Sequence, residues 1–248
     1  MYLIKAPTVA KGWELAFKKV MEYGYFRLTE GFKDEHERIK HEKTIETGPI
    51  TLEISSPMDE PRVSEYSKMG PLAYNKYADD LICGNSGAKN HEFVYTYHGR
   101  LFEFNTCIDQ IEYIVNKLLY DKNSRRGVAV TWNPDVDTDE LADSVPCLNF
   151  LQCSVRNNKL DMHVLFRSND FGSALNQNMY ALTELQSKIA EKLYIPVGTY
   201  THIAIMPHVY YIRDIDDIKM YCKKMSIRPQ AFVIEECAFD TNTSGYIV

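Results

Sequence analysis

Long apolar runs are missing from this 248-residue chain. No stretch of 18 or more apolar residues occurs, so no transmembrane helix is expected. The opening MYLIKAPTVAKGW has a Lys and a Pro where a secretory signal needs an apolar core, and a cytoplasmic protein without membrane attachment is the expectation. Positive charge is also short. Lys and Arg total 28 against 34 Asp and Glu, a formal net charge of -6. A general nucleic-acid binder depends on many Lys/Arg–phosphate contacts and is disfavoured, whereas an anionic small molecule needs only a local arginine cluster. None of the six cysteines forms a C-x-x-C pair, so neither zinc nor another metal is expected. In a reducing compartment disulfides are not expected either. Repeats, low-complexity tracts and linker-like segments are absent. With 45% hydrophobic residues the chain has material for a substantial core, and it reads as one domain over 1–248.

The cysteines are Cys83, Cys107, Cys147, Cys153, Cys222 and Cys237. Two stand six positions apart in DSVPCLNFLQCSVR (143–156), the first behind a proline and both in an apolar, strand-like run. Each thiol is open to two readings, a small buried hydrophobe or a reactive thiolate.

Periodicity supplies the elements. Apolar residues at Val9, Trp13, Ala16, Val20 and Met21 predict a helix over 8–23 with Thr8 as N-cap. Residues 27–46 are charged and read as a mobile loop. PITLEIS (49–55) alternates as a strand and PMDEPR breaks it. A helix is predicted over 64–83 around Leu72, Tyr77 and Leu81, then a loop at 84–90 and an extended aromatic segment at 92–104. Residues 108–122 carry a helical stripe through Ile108, Ile111, Val115, Leu118 and Leu119. Strands follow at 127–132, 148–155 and 159–166, the last two joined as a hairpin by RNN (156–158). A further helix spans 179–193, and a strand covers 200–211, ending at a proline. The fold class is α+β with a mainly antiparallel or mixed sheet flanked by helices.

Polar residues gather where these elements end: NSRRG (123–127), FRSND (166–170), PHVY (207–210), and Cys147 at the head of a strand. Loops at strand ends are where rigid scaffolds hold chemistry. Singly, an RR pair is a solvated charge pair and a Cys before an apolar strand is core filler. Together, DKNSRRGVAVTWNP, PCLNFLQ, FRSND, NMYAL and PHVYY occur in the order and near the spacing of thymidylate synthase. Over about residues 95–215 the chain resembles the thymidylate synthase/pyrimidine hydroxymethylase superfamily, in particular its compact archaeal-type branch.

That resemblance implies a thymidylate synthase-like fold, an obligate homodimer with a sheet face at the interface and active sites shared between subunits. It also implies a reaction, transfer of a one-carbon unit to C5 of dUMP. A thiolate adds to C6 and makes C5 nucleophilic, which is covalent catalysis. Cys147 matches the nucleophile and Cys153 reads as structural. Arg167 matches the arginine that lowers the thiol's pKa and, with Arg125, Arg126 and Ser168, the ligands of the 5′-phosphate, which guanidinium groups bind bidentately. Arg27, Arg38 and Arg62 compete for a further phosphate arginine. Counting without gaps from Arg167 to His208 puts the base-reading asparagine at Asn178, with Asn176 as the neighbour it must be told from. His208 and Tyr210 match the holders of the sugar 3′-hydroxyl. Asp170 matches a catalytic aspartate that bonds a pterin ring, and Tyr97 a proton-relay tyrosine. The implied co-substrate is 5,10-methylenetetrahydrofolate or a related methylene-pterin, with no metal.

The chain departs from the family pattern in four places. Only Asp79 and Asp80 stand near the usual proton-relay glutamate, and Leu148 follows the cysteine where a histidine is common. Neither Trp13 nor Trp132 matches the tryptophan that packs on the folate. The tail SGYIV is apolar, but what precedes it does not match. Thymidylate synthase is therefore the first reading. A hydroxymethylase acting on dUMP, dCMP or CMP, with water in place of hydride, is the second, and a silent nucleotide-binding relative is the third.

Overall fold

The computed structural model describes residues 1–29, 32–33, 39–84, 95–139 and 144–230. In chain order they form β1 (Tyr2–Ala6), α1 (Val9–Tyr23), β2 (Tyr25–Leu28), β3 (Phe32–Lys33), β4 (Ile39–Lys40), β5 (Lys43–Glu46), β6 (Ile50–Ile54), α2 (Pro71–Cys83), α3 (Tyr97–Phe102) and α4 (Gln110–Tyr120). There follow β7 (Gly127–Val130), α5 (Pro134–Asp137), β8 (Leu148–Arg156), β9 (Lys159–Asp170), α6 (Leu175–Lys192), β10 (Val197–Tyr210) and α7 (Ile215–Lys224). A mixed sheet runs β1-β6-β10-β9-β8-β7, and β10 carries β5 and then β2 at its far end. Pairs β1–β6 and β9–β10 are parallel and the rest antiparallel. The expected α+β class with a mixed sheet flanked by helices is the observed one.

Local chemistry accounts for the elements that sequence located well. The Thr8 hydroxyl accepts from the Lys11 N–H and starts α1, whose Val9, Trp13, Phe17 and Val20 are buried. Gly12 lets α1 approach β6, since a Cβ there would lie 2.5 Å from Ile54 Cδ1. Asn157 and Asn158, at φ 50 and 56, make the two-residue turn between β8 and β9. Such left-handed pairs suit the twist of a hairpin and favour asparagine.

Other expectations need correction. Residues 27–46 are not simply a loop, because Tyr25–Leu28 pairs with Lys43–Glu46 as two strands whose charged side chains hide the alternation. The helix expected over 64–83 begins only at Pro71, and its Leu72 is exposed. The aromatic segment expected to be extended forms helix α3 from Tyr97, capped by the Thr96 hydroxyl. On α4 the buried stripe is Ile111, Ile114, Val115 and Leu118, whereas Leu119 faces out and Ile108 lies exposed before the helix, bridged to Phe104. β9 does not stop at Phe166 but runs through Arg167–Asp170. Pro207 does not end β10. It falls between the stretch paired with β6, which ends at Ala204, and the stretch paired with β5, which begins at His208, so its missing N–H costs no ladder bond to either strand.

Helix α6 starts four residues before the apolar run that revealed it, taking in Asn176 and Asn178. The Asn176 amide is bound into the fold through both its ends. Nδ2 donates to the Arg62 carbonyl at 3.0 Å, and Oδ1 accepts from the Ser64 N–H and the Tyr74 hydroxyl, each at 3.2 Å. An unmade buried hydrogen bond costs about 1–3 kcal/mol. Asn176→Ala is therefore expected to lower the unfolding free energy by roughly 3 kcal/mol in urea titration, with the m-value unchanged. A loss below about 0.5 kcal/mol would show that water replaces the amide at no cost.

Candidate active site

Cys147 sits one residue before β8, half-buried. Its carbonyl accepts from the Arg167 N–H at 2.8 Å. The Arg167 guanidinium reaches back over the same turn. Nε donates to the Pro146 carbonyl at 2.9 Å, Nη2 to the Val145 carbonyl at 3.0 Å, and Nη2 lies 3.9 Å from Cys147 Sγ. Arginine thus fixes the backbone that carries the thiol and places positive charge beside it. Burial raises the Cys147 pKa, Arg167 pulls it down, and the negative charge of Asp170 adds to the rise. Cys153 lies in mid-strand, fully buried, with its thiol pushed up to about 12 by burial alone.

Three tyrosines surround the thiol. Tyr97 Oη accepts from the Leu148 N–H at 3.1 Å. Tyr95 Oη lies 3.4 Å from the Val145 carbonyl, and its ring meets that of Tyr97 edge-on. Tyr77, from α2, donates to Asn178 Oδ1 at 2.7 Å. Burial raises the pKa of all three, and the charge of Cys147 acts on each in the same direction. Sequence reasoning reached Tyr97 alone. Tyr95 was hidden in an aromatic run, and Tyr77 was taken for a core position of its helix.

The β9–β10 register builds the opposite wall. It sets Ser168 beside Met206 and Asp170 beside His208, while β5 sets Glu46 on the other side of His208. His208 Nδ1 is 3.1 Å from the Met206 carbonyl and 3.4 Å from Ser168 Oγ, and its ring stands edge-on to Tyr210. Asp170 is heavily engaged. Oδ1 accepts from the N–H groups of Gly172 and Ser173, and Oδ2 accepts from the Ser173 hydroxyl at 2.6 Å and Arg213 at 2.5 Å. Arg213 also pairs with Asp214 and lies 4.1 Å over the Tyr210 ring. Nothing in the sequence marked Arg213, since the groups that tie it to the site, Asp170 and Tyr210, come from β9 and β10.

Asn178 is buried, and its Oδ1 takes the Tyr77 hydroxyl. Of the competing arginines, Arg62 is buried, with its two terminal nitrogens on Glu184, the Tyr180 carbonyl and Thr183 and its buried Nε unpartnered. Arg27 is half-exposed on β2, opposite Thr44, which in turn pairs with Tyr210. That places its backbone roughly 10 Å, two strand spacings, from Tyr210. Arg38 and the tail SGYIV lie outside the described residues. Asp79 is exposed and Asp80 half-buried on α2, and the α2 side chain that touches the site is Tyr77. Arg125 and Arg126 are exposed beyond the far end of β7, where Gly127 pairs with Cys153. Six residues of strand separate Cys153 from Cys147, so the structure does not bring this pair to the thiol of its own chain. The gap is about 20 Å.

Beside Asp170 lies a cavity of about 240 Å³ lined by Trp13, Met69, Tyr74, Ser173, Arg213 and Tyr221. Among the described residues no group of three or more His, Cys, Asp or Glu side chains is placed to hold a metal, and no helix is long and apolar enough to cross a membrane.

Residues 59–242 match the family model described as thymidylate synthase. A protein of Methanocaldococcus jannaschii, provisionally named thymidylate synthase, is 40% identical over 227 residues, 89% of this chain and 96% of the relative. A Methanosarcina barkeri protein with the same provisional name is 33% identical over 208 residues, 84% of this chain and 89% of the relative. The solved structure of thermostable thymidylate synthase A from Bacillus subtilis superimposes with a TM-score of 0.67 at 21% identity, covering 90% of this chain and 85% of that one. At that identity the likeness establishes the fold.

The electrostatics of the thiol are directly measurable. Alkylation of Cys147 by iodoacetamide, followed by peptide mass spectrometry, is expected to accelerate as pH rises through the raised thiol pKa, because only the thiolate reacts. Arg167→Leu removes the opposing positive charge and is expected to move that midpoint to higher pH. Cys153 is expected to stay unlabelled throughout. An unchanged midpoint in the Arg167 variant would show that the guanidinium only ties the backbone.

Proposed function

The chain belongs to the thymidylate synthase family, and from that premise we propose that it methylates dUMP at C5 to give dTMP through a covalent bond between Cys147 and C6. The observation that carries this reading is the cluster at the head of β8, where Cys147, Arg167 and Asp170 act on one another electrostatically and three tyrosines close the surround. Sγ attacks C6, and the C5=C6 electron pair moves toward C5 and O4. C5 then bonds to the methylene carbon, and loss of the C5 proton breaks that carbon's bond to the tetrahydropterin nitrogen, leaving an exocyclic methylene on the nucleotide. Addition of a hydride to that methylene drives electrons back into the C5=C6 bond and expels the thiolate. A 5,10-methylene-tetrahydropterin, folate or a relative, supplies the carbon and, in the synthase reaction, the two reducing electrons.

Residues of this chain do the remaining work. Arg167 stabilises the thiolate and, with Ser168 and Arg27, meets the 5′-phosphate. Arg62 is unsuited to that task because it is buried in its own network. His208 and Tyr210 hold the sugar. Asn178 reads the base: its Nδ2 makes no hydrogen bond to a described residue and is left to donate to O4, while Oδ1 retains a lone pair for N3–H. Asn176 Oδ1 already accepts two hydrogen bonds and has no lone pair left for N3–H. Tyr97 stands within reach of proton traffic beside Cys147. Asp170 takes a pterin N–H only by releasing Arg213 or Ser173, since both its oxygens are occupied. The aromatic cavity next to it suits a flat ring. Arg125 and Arg126, remote from their own thiol, serve the site of the partner subunit in a homodimer. A hydroxymethylase would use the same adduct, with water quenching the intermediate.

Incubation with dUMP and methylene-tetrahydrofolate or methylene-tetrahydromethanopterin, with products resolved by mass, tests the reaction. dTMP with the dihydropterin is expected, whereas a hydroxymethyl nucleotide with the tetrahydropterin would favour the second reading. Cys147→Ser is expected to lower turnover by several orders of magnitude, while Cys153→Ser retains most of it. The reverse pattern would overturn the assignment of the nucleophile.

Site sharing has its own test. Arg126→Ala and Cys147→Ser proteins, each inactive alone, are mixed under conditions of subunit exchange. Hybrids carry one intact site and are expected to regain up to about a quarter of wild-type activity from random mixing. Hybrids that form and stay inactive would exclude the shared site.

A further inference from the structure

We propose that Tyr77 is the positioning residue that makes the base site selective for uracil, its hydroxyl fixing which way round the Asn178 amide lies. This rests on Asn178 as the base reader and extends that reading by one residue. Tyr77 Oη donates to Asn178 Oδ1 at 2.7 Å, a short bond to a side chain that is itself 7% exposed. An amide has a donor end and an acceptor end, and only its partners decide which end faces a ligand. With Oδ1 turned to Tyr77, Nδ2 faces away from the hydroxyl and is available as a donor. Uracil presents an acceptor at O4 and a donor at N3, which this orientation satisfies with Nδ2 and the second lone pair of Oδ1.

Cytosine presents the opposite pattern, an amino donor and an N3 acceptor. Binding it requires the amide to turn over, which points Nδ2 at the Tyr77 hydroxyl. The hydroxyl must then rotate to accept, and its own proton loses its acceptor. Burial raises the pKa of Tyr77, so shedding that proton is no escape. An unpaired buried donor is penalised, and the penalty falls on the cytosine complex alone. Tyr77 therefore contributes to specificity without touching the base.

Equilibrium binding of dUMP and dCMP, measured by calorimetry without co-substrate, separates this role from a packing role. In Tyr77→Phe the ratio of the two dissociation constants is expected to fall about tenfold, the size of one mispaired buried group. A side chain that only packs would weaken both nucleotides alike and leave the ratio unchanged, which would overturn the proposal. Asn178→Ala is expected to collapse the ratio, and adding Tyr77→Phe to it is expected to change the ratio no further. If Asn178→Ala leaves the ratio intact, the reading of Asn178 fails and this proposal with it. If Asn178→Ala collapses the ratio and Tyr77→Phe does not lower it, Tyr77 alone is excluded. An equal Tyr77→Phe effect in both backgrounds would show that it acts elsewhere. Tyr77→Met supplies the same deletion should Phe disturb folding. In the wild-type protein, the side-chain amide resonance pair of Asn178, identified by its loss in Asn178→Ala, is expected to shift on dUMP addition. A pair insensitive to dUMP would also overturn the proposal.

Discussion

Parallel pairing of β9 with β10 is the constraint on which the site depends. The apolar alternation of β9 ends at Phe166, yet its backbone continues in register with β10 through Ser168, Asn169 and Asp170. Those last residues gain no hydrophobic reward of their own. They are held because ladder bonds on a sheet already anchored by Leu160, Met162, Val164 and Phe166 are cheaper to continue than to abandon to solvent. The same register brings His208 beside Asp170, and β5 adds Glu46. A slip of one residue would turn each of these side chains to the other face of the sheet and dismantle the cluster.

The thiol sits in a contest between two effects. Burial disfavours the thiolate and Arg167 favours it, and in the free chain burial wins. Two of the donors on Arg167 are committed to the carbonyls of Val145 and Pro146, which holds Cys147 in place but leaves the guanidinium 3.9 Å from sulfur. The tyrosines remain neutral, since burial raises all three phenols. The thiol is thus surrounded by one cation 3.9 Å away and three phenols that stay neutral.

Identical residue types were given opposite fates by their surroundings. Asn176 and Asn178 share a helical turn, yet the first is bound by the 62–64 backbone and the Tyr74 hydroxyl and the second by the Tyr77 hydroxyl. Arg62 and Arg27 look alike in sequence. Thr183, Tyr180 and Glu184, more than a hundred residues away, close over the first, while β2 leaves the second near Tyr210. Cys147 and Cys153 differ in the same way, a half-buried strand head against a sealed mid-strand position.

The amino-acid sequence by itself determined the helices with a clear 3.6-residue stripe, the Asn157–Asn158 hairpin and the family motifs, because those signals are local in the chain. Cys147, Arg167, Ser168, Asp170, Asn178, His208 and Tyr210 were singled out by the resemblance those motifs carry. The charged pair β2–β5 and the short α3 were not legible, since their pairing and capping outweigh a composition that points elsewhere. Only the tertiary structure decided that Tyr77, Tyr95 and Arg213 belong to the cluster, that Asn176 and Arg62 are tied into the fold by buried hydrogen bonds, and that Arg125 and Arg126 stand far from their own thiol. Each of those outcomes turns on a hydrogen bond or a strand register between distant segments, and no spacing within one segment encodes it.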